Sequence, residues 1–311
     1  MAQFRANLPQ LHSTPFLGIC GMVTTFTFLE GVHLPEFAAF DLLRRPGGEA
    51  VLRAFYERNL AIAAEFGLGM VMETPTWRAN VDWARKLHCS ETELRQVLMR
   101  SVELLCELRT ETPSIPVVVS GCIGPRGDGY VIDIVMTPEE AMHYHDLEVE
   151  VFAKAGVDLI TAITMTYSTE AIGVVKAAQR YHIPVAISFT VETDGSLPSR
   201  ETLEAAIQRV DQGTDSYPSY YLINCAHPSH FRSVLLKGEE WTQRVRGILV
   251  NASLKSHAEL IECTELDAGS PEDLAAEVIA LREALPGLTV LGGCCGTDYR
   301  HIRALAQRLL V

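Results

Sequence analysis

Leu288-Thr-Val-Leu-Gly-Gly-Cys-Cys-Gly-Thr297 runs from an apolar stretch into a glycine pair, two adjacent cysteines and a third glycine. Its apolar half has the continuous hydrophobic pattern of a strand buried on both faces of a parallel sheet. Similar runs recur upstream at 247–251, 184–190 and 116–120, as Gly-Ile-Leu-Val, Val-Ala-Ile-Ser-Phe and Val-Val-Val-Ser. With 16–20, 69–73, 158–163, 220–224 and the run at 288–292, eight strands are predicted. Helical signals fall between them. Ser90-Glu-Thr-Glu93 opens a long run to Leu108 with a capping-box pattern. Thr137-Pro-Glu-Glu140 and Ser270-Pro-Glu-Asp273 each put proline at the first helical position and acids in the first turn. Runs 51–66, 170–180, 201–210 and 299–310 carry apolar residues at three- and four-residue spacing. Alternating βα units in this number predict an α/β fold, a closed (β/α)8 TIM barrel, over an open doubly wound sheet. No linker, repeat or low-complexity segment interrupts the chain, so residues 1–311 are expected to form a single domain.

Composition narrows the function. Hydrophobic residues make up 48% and charged residues 21%, a globular balance. The 26 basic residues face 39 acidic ones, a formal charge of −13 without a Lys/Arg cluster, which argues against nucleic acid as a partner. The acidic excess suits solubility and favours cationic small molecules electrostatically. The uncharged stretch 13–29 contains five serines or threonines and no small-residue cleavage pattern, so it reads as a buried first strand rather than a leader. No run approaches the roughly 18 apolar residues of a membrane span, and a cytoplasmic protein is expected. Eight cysteines, at 20, 89, 106, 122, 225, 263, 294 and 295, are then expected to be thiols or metal ligands rather than a disulfide framework. Cys89, Cys106, Cys122 and Cys263 read as small core residues.

Cys294 and Cys295 need another account. Adjacent residues of a regular strand face opposite sides, so two neighbouring cysteines meet one centre only if the backbone turns irregularly there, as flanking glycines permit. Asn224-Cys-Ala-His-Pro228 ends the sixth predicted strand. In a barrel, the C-terminal ends of strands six and eight share one rim, so Cys225 can meet Cys294 and Cys295 around one ion. Three thiolates with one open position is the ligand set of a catalytic zinc. Zinc so ligated is a poor activator of water and a good one of thiols, whose pKa it lowers while they stay nucleophilic. A redox pair or plain packing are the competing readings of the cysteine pair. His227 is a conceivable fourth ligand, although a histidine before proline in a loop is more often a neighbour of such a site.

These same residues resemble the homocysteine S-methyltransferase family. Asn-Cys-Ala-His-Pro, followed about 70 residues later by Gly-Gly-Cys-Cys-Gly-Thr and then His301-Ile-Arg-Ala-Leu305, is similar to that family's pattern. Glu73-Thr-Pro-Thr-Trp77, Ser120-Gly-Cys-Ile-Gly-Pro125 and Ile187-Ser-Phe189 with Asp194-Gly-Ser-Leu197 are similar to its second, third and fifth strand ends. The resemblance implies a (β/α)8 barrel, a Zn2+ cofactor on Cys225, Cys294 and Cys295, a small-molecule thiol acceptor and a methyl donor such as S-methylmethionine, betaine or a methylated folate. It admits monomers and oligomers alike. It also implies a substrate pocket built from Ile19, Thr24, Thr25, Glu73, Trp77, Ile163, Thr164 and Asn224. Two departures stand inside that pocket. Where relatives open with Asp-Gly-Gly-x-x-Thr-Glu, this chain has Ile19-Cys-Gly-Met-Val-Thr-Thr25, and where their fourth strand ends in Glu-Thr, it has Ile163-Thr164. In relatives those two acids look like the groups that grip the ammonium of homocysteine. An ammonium facing two isoleucines is left unpaired, at a cost of several kcal/mol in a closed site.

Glu73 can supply a carboxylate toward a cationic ligand, Trp77 can stack on a sulfonium or quaternary ammonium, and Asn224 and Asn251 can position a substrate. The expected function is therefore zinc-dependent methyl transfer from a cationic donor to a thiol, with homocysteine implied by the resemblance and a non-amino-acid thiol favoured by the isoleucines. Catabolic removal of a methyl group would use the same site. A zinc-binding or thiol-sensing barrel without methyl transfer is the reading from another class. A phosphate-handling barrel would want a glycine-rich phosphate loop where the cysteine pair stands.

Overall fold

A computed structural model of the chain describes residues 2–12, 14–263 and 265–310; Met1, Ser13, Thr264 and Val311 lie outside it, so the first residue of the uncharged stretch 13–29 is not described. The strands are β1 Phe16–Leu17, β2 Gly69–Glu73, β3 Val117–Ile123, β4 Leu159–Met165, β5 Val185–Thr190, β6 Tyr220–Asn224, β7 Val245–Val250 and β8 Val290–Gly293. Each pairs in parallel with the next, and β8 pairs with β1, closing the barrel. The closed (β/α)8 architecture is as predicted, and the open sheet is excluded.

The helical start signals act as the sequence suggests. Ser90 and Glu93 exchange side-chain and backbone bonds at the head of Glu91–Glu111, and Thr137 and Glu140 do the same for Pro138–Ala155. Each reciprocal pair satisfies two N–H groups that the helix cannot. Gly48–Glu65, Ser168–Arg180, Leu203–Gly213, Pro271–Ala284 and Tyr299–Arg308 complete the expected long helices. The first unit departs most. β1 holds two residues rather than the five of 16–20, because the chain leaves regular pairing after Leu17. It stays tied to β8 through Gly18 N–H on the Leu291 carbonyl (2.9 Å) and Gly293 N–H on the Ile19 carbonyl (3.0 Å). Short helical turns then carry the chain to residue 44 without a sustained apolar period, which is why periodicity passes over them.

Alternation sorts the side chains into two cores. Met70, Met72, Val117, Val119, Ile160 and Ala162 belong to the large cluster between strands and helices. Their neighbours Val71, Val118 and Leu159 join Phe16, Tyr220, Leu222, Leu249 and Val290 in a second cluster, which fills the barrel interior. Leu8 packs against that interior from the N-terminal segment. Glu73, Ile163 and Asn224 lie two or four residues beyond inward members of their own strands, so each sits on the inward row at the C-terminal rim. The opposite end is shut by the N-terminal segment: the Asp158 carboxylate accepts from Phe4 N–H (2.8 Å), Val119 N–H (3.0 Å) and Arg109 Nη1 (2.7 Å). No helix among the described residues is long and apolar enough to cross a membrane.

Candidate functional site

The sequence places one cysteine after β6 and two after β8, and the fold brings them together. The three sulfurs of Cys225, Cys294 and Cys295 lie within 4.8 Å of one another. Cys225 takes the left-handed backbone conformation (φ 53°), which is uncommon outside glycine and clusters at functional sites. It is held there by its N–H on the Leu249 carbonyl (3.0 Å) and by His257 Nε2 donating to its carbonyl (2.6 Å). Cys294 N–H bonds the Val250 carbonyl (2.7 Å), while Thr297 Oγ1 donates to the Cys294 carbonyl (2.7 Å) and accepts from Gly21 N–H (3.0 Å). Two glycines make the turn possible. Gly296 has φ +79°, and a Cβ on Gly21 would stand 2.1 Å from the Cys294 carbonyl oxygen.

The cysteines are expected as thiols or metal ligands rather than a disulfide framework, and one pair departs from that, since Cys225 and Cys294 are joined in a disulfide. The convergence that suits an ion also brings two thiols within bonding reach. Cys295 remains a thiol, with its Sγ 3.9 Å from that of Cys225. That spacing matches the edge of a tetrahedron, about 3.8 Å, that follows from zinc–sulfur bonds of about 2.3 Å. Once reduced, the donor set therefore fits a thiophilic metal. His227 takes no part: its Nδ1 accepts from Ser229 N–H (3.3 Å) and caps Pro228–Leu235, and burial lowers its pKa to about 4.

The sulfurs edge a cavity of about 470 Å3 at the C-terminal rim, where barrel enzymes carry their chemistry. Seven of the eight residues expected to line it do so: Ile19, Thr24, Glu73, Trp77, Ile163, Thr164 and Asn224. Thr25 is the exception and is buried away from the cavity. Several have structural duties as well. Thr24 Oγ1 accepts from Gly296 N–H (3.2 Å), tying the first loop to the cysteine turn. Thr164 has φ 61°, an outlier for a β-branched residue. The Asn224 amide holds it, accepting from Thr164 N–H (2.9 Å), donating to its Oγ1 (3.1 Å) and accepting from Ser188 Oγ (2.7 Å). Trp77 already has a cation beside it: the Arg78 guanidinium lies 4.8 Å from its ring centroid and 3.9 Å from that of Trp83. Among the cysteines expected in the core, Cys89 and Cys122 are buried, whereas Cys106 and Cys263 are only half-buried, and Cys122 and Cys263 line the cavity.

Two wall residues, Tyr130 and His257, have no signal in the sequence. Tyr130, on the loop after β3, crosses the mouth to place its hydroxyl 3.7 Å from Cys295 Sγ, with its ring 4.3 Å from the His257 ring. Burial, with Cys295 beside it, holds the Tyr130 hydroxyl well above the ordinary tyrosine range. The loop is anchored from below by Arg126 N–H on Glu170 Oε1 (2.7 Å). Glu170 and Glu148 flank the fully buried His145 at 3.1 and 2.9 Å. Burial alone would lower the His145 pKa; the two carboxylates raise it to about 9.

Among the described acids of the cavity, Glu73 alone is pushed up strongly by its surroundings, from an ordinary 4.5 to about 7, and burial is the cause. The sign of the linkage follows. Between pH 4.5 and 7 the folded chain holds a proton that the unfolded chain has released, so this group's contribution makes stability fall as pH rises through that window. At about 1.4 kcal/mol per pKa unit, up to about 3 kcal/mol is involved. Urea unfolding at pH 4.5 and 7.5 should therefore show Glu73→Gln gaining on the wild type by that order at the higher pH. An equal difference at both values would contradict the burial.

A family model described as homocysteine S-methyltransferase matches residues 21–309. Homocysteine S-methyltransferase 2 of Arabidopsis thaliana is 23% identical over 265 residues, covering 77% of this chain and 78% of that one. Homocysteine S-methyltransferase 4 of Zea mays is 26% identical over 262 residues, covering 76% and 74%. The metallated form of the homocysteine methyltransferase MmuM from Escherichia coli superposes with a TM-score of 0.74 at 21% identity, over 95% of this chain and 96% of that one; this likeness speaks to the fold.

Proposed function

The chain belongs to the homocysteine S-methyltransferase family, and from that premise we propose that it moves a methyl group from a cationic donor to a thiol activated by zinc on Cys225, Cys294 and Cys295. It is a thiol S-methyltransferase by membership; the metal, the donor class and the site residues are the proposal. The observation that carries it is the meeting of three sulfurs at the edge of a cavity large enough for two small substrates. Zinc bound there would supply a lowered thiol pKa at neutral pH while leaving the sulfur nucleophilic.

The balance of the reaction is simple. The acceptor thiol gives up its proton to solvent on binding, its sulfur forms a bond to the methyl carbon, and the bond from that carbon to the donor heteroatom breaks. The electron pair goes to the heteroatom, which ends uncharged. The chain's own residues serve this step by shape and field. Ile19 and Ile163 present apolar side chains to the cavity that the sulfurs edge, and a drier site strengthens the electrostatic interactions within it. His257 and Thr297 fix the carbonyls of Cys225 and Cys294, so the sulfurs are pre-positioned. Tyr130 offers a hydroxyl to Cys295 and closes the mouth over it.

The test uses reduced, purified protein. About one zinc per chain is expected, with methylation of at least one thiol from S-methylmethionine or betaine. Zinc without turnover of any pair would favour a thiol-sensing barrel. Failure to bind zinc under reducing conditions would sink the reading.

A further inference from the structure

The cavity wall holds a charge imbalance that the family resemblance does not account for. At the β1 and β4 ends it presents Ile19 and Ile163. At the end of β2 it presents Glu73, which is only 8% exposed. Among the described residues nothing hydrogen-bonds or ion-pairs with the Glu73 carboxyl group, and burial is the sole influence on it. Buried carboxyl groups are seldom left without a hydrogen-bonding partner.

The cations of the wall are committed elsewhere. Arg78 donates to the Glu36 carbonyl (2.8 Å) and to Asp128 (3.3 Å), and its guanidinium lies over two indole rings. His257 Nε2 donates to the Cys225 carbonyl, and its Nδ1, which makes no hydrogen bond, lies 3.8 Å from Glu192 Oε1. Among the described lining residues, each cationic side chain thus already has an acid beside it, Asp128 for Arg78 and Glu192 for His257, whereas a substrate ammonium finds Glu73 unbonded.

Register locates that carboxyl relative to the sulfurs. Met70 and Leu291 both pair with Leu17, so counting on three residues sets Glu73 level with Cys294 across β1. Two strand spacings put their backbones about 10 Å apart, and both side chains can reach inward across that gap. The span suits a short molecule with its thiol at the sulfurs and its positive charge at Glu73.

We propose that Glu73 binds the ammonium group of the acceptor, and that the acceptor is a short aminothiol without a carboxylate. The inference rests on the methyl-transfer reading above and names its acceptor class. A single charge-assisted bond in a buried site accounts for a 10- to 100-fold preference.

Reduced, zinc-loaded protein with S-methylmethionine as donor should be assayed against cysteamine, 2-mercaptoethanol, 3-mercaptopropionate and homocysteine. Cysteamine is expected to have the highest kcat/KM, and Glu73→Gln to lower the cysteamine to 2-mercaptoethanol ratio 10- to 100-fold by raising KM. Calorimetry on metal-free protein supplies a readout independent of turnover: 2-(methylthio)ethylamine should bind the wild type and bind Glu73→Gln at least tenfold more weakly. Homocysteine or 3-mercaptopropionate as the best acceptor would overturn the proposal. So would a Glu73→Gln defect confined to the KM of the donor. Binding of the amine through Glu73 with no thiol methylated would instead overturn methyl transfer and leave the cation site standing.

Discussion

Cys295→Ser should bind zinc at least about 100-fold more weakly than the wild type and lose thiol methylation with it, while its metal-free form unfolds within about 2 °C of the metal-free wild type. The magnitude is a lower bound, because loss of a residue that only supports a ligand already costs 10- to 100-fold, and Cys295 supplies a donor atom itself. The variant is chosen because the structure joins Cys225 and Cys294 and leaves Cys295 as a thiol. If the rim held only a disulfide, the third sulfur would be dispensable and Cys295→Ser would retain everything. If the three sulfurs form one ligand set, Cys295 is as necessary as its neighbours. Zinc content after dialysis under reducing conditions, chelator competition and turnover measured on the same samples decide between the two. Near-wild-type zinc affinity in Cys295→Ser would remove the metal centre from the account of this protein.

The parts of the fold that sequence predicts well are those that repeat a local rule. Strands that must be apolar on both faces announce themselves as unbroken runs, so β2 and β6 match their expected bounds residue for residue. Capping boxes are equally local, since a serine or threonine and a glutamate three residues on serve each other's backbone. The cysteine set is legible because its residue types are rare and the two loops that carry them must share a rim. Tyr130 is not legible: it reaches Cys295 across 165 residues of sequence and the width of the mouth, and an isolated tyrosine in a loop carries no spacing. The partial commitments of Asn224 and Trp77 are hidden for the same reason. Whether a side chain is free for a substrate depends on neighbours such as Thr164 and Arg78, and those neighbours follow from tertiary packing. The Cys225–Cys294 disulfide escapes prediction differently, because spacing that brings thiols to one point does not specify their oxidation state.

Asp158→Asn should destabilise the chain by about 3–5 kcal/mol, the usual result of removing one partner from a buried ion pair. Asp158 is fully buried at the N-terminal end of β4, and one carboxylate serves both the barrel wall and the segment that shuts the barrel floor. One oxygen accepts from Arg109 and Val119 N–H, and the other accepts from the Gln3 and Phe4 N–H groups. An asparagine there keeps the volume, turns one acceptor oxygen into a donor and places it against groups that are themselves donors. The guanidinium of Arg109, only 5% exposed, then faces a neutral amide in place of a carboxylate. The loss should appear in urea as a lower midpoint with an unchanged slope, since the folded surface is the same. Methyl transfer per folded molecule should stay within about twofold of the wild type, because barrels separate stability at one end from chemistry at the other. A loss below about 1 kcal/mol would mean that the N-terminal segment contributes little to holding the barrel shut. A full-sized loss accompanied by a collapse of turnover in the folded fraction would mean that the barrel transmits strain from its floor to the cysteine rim.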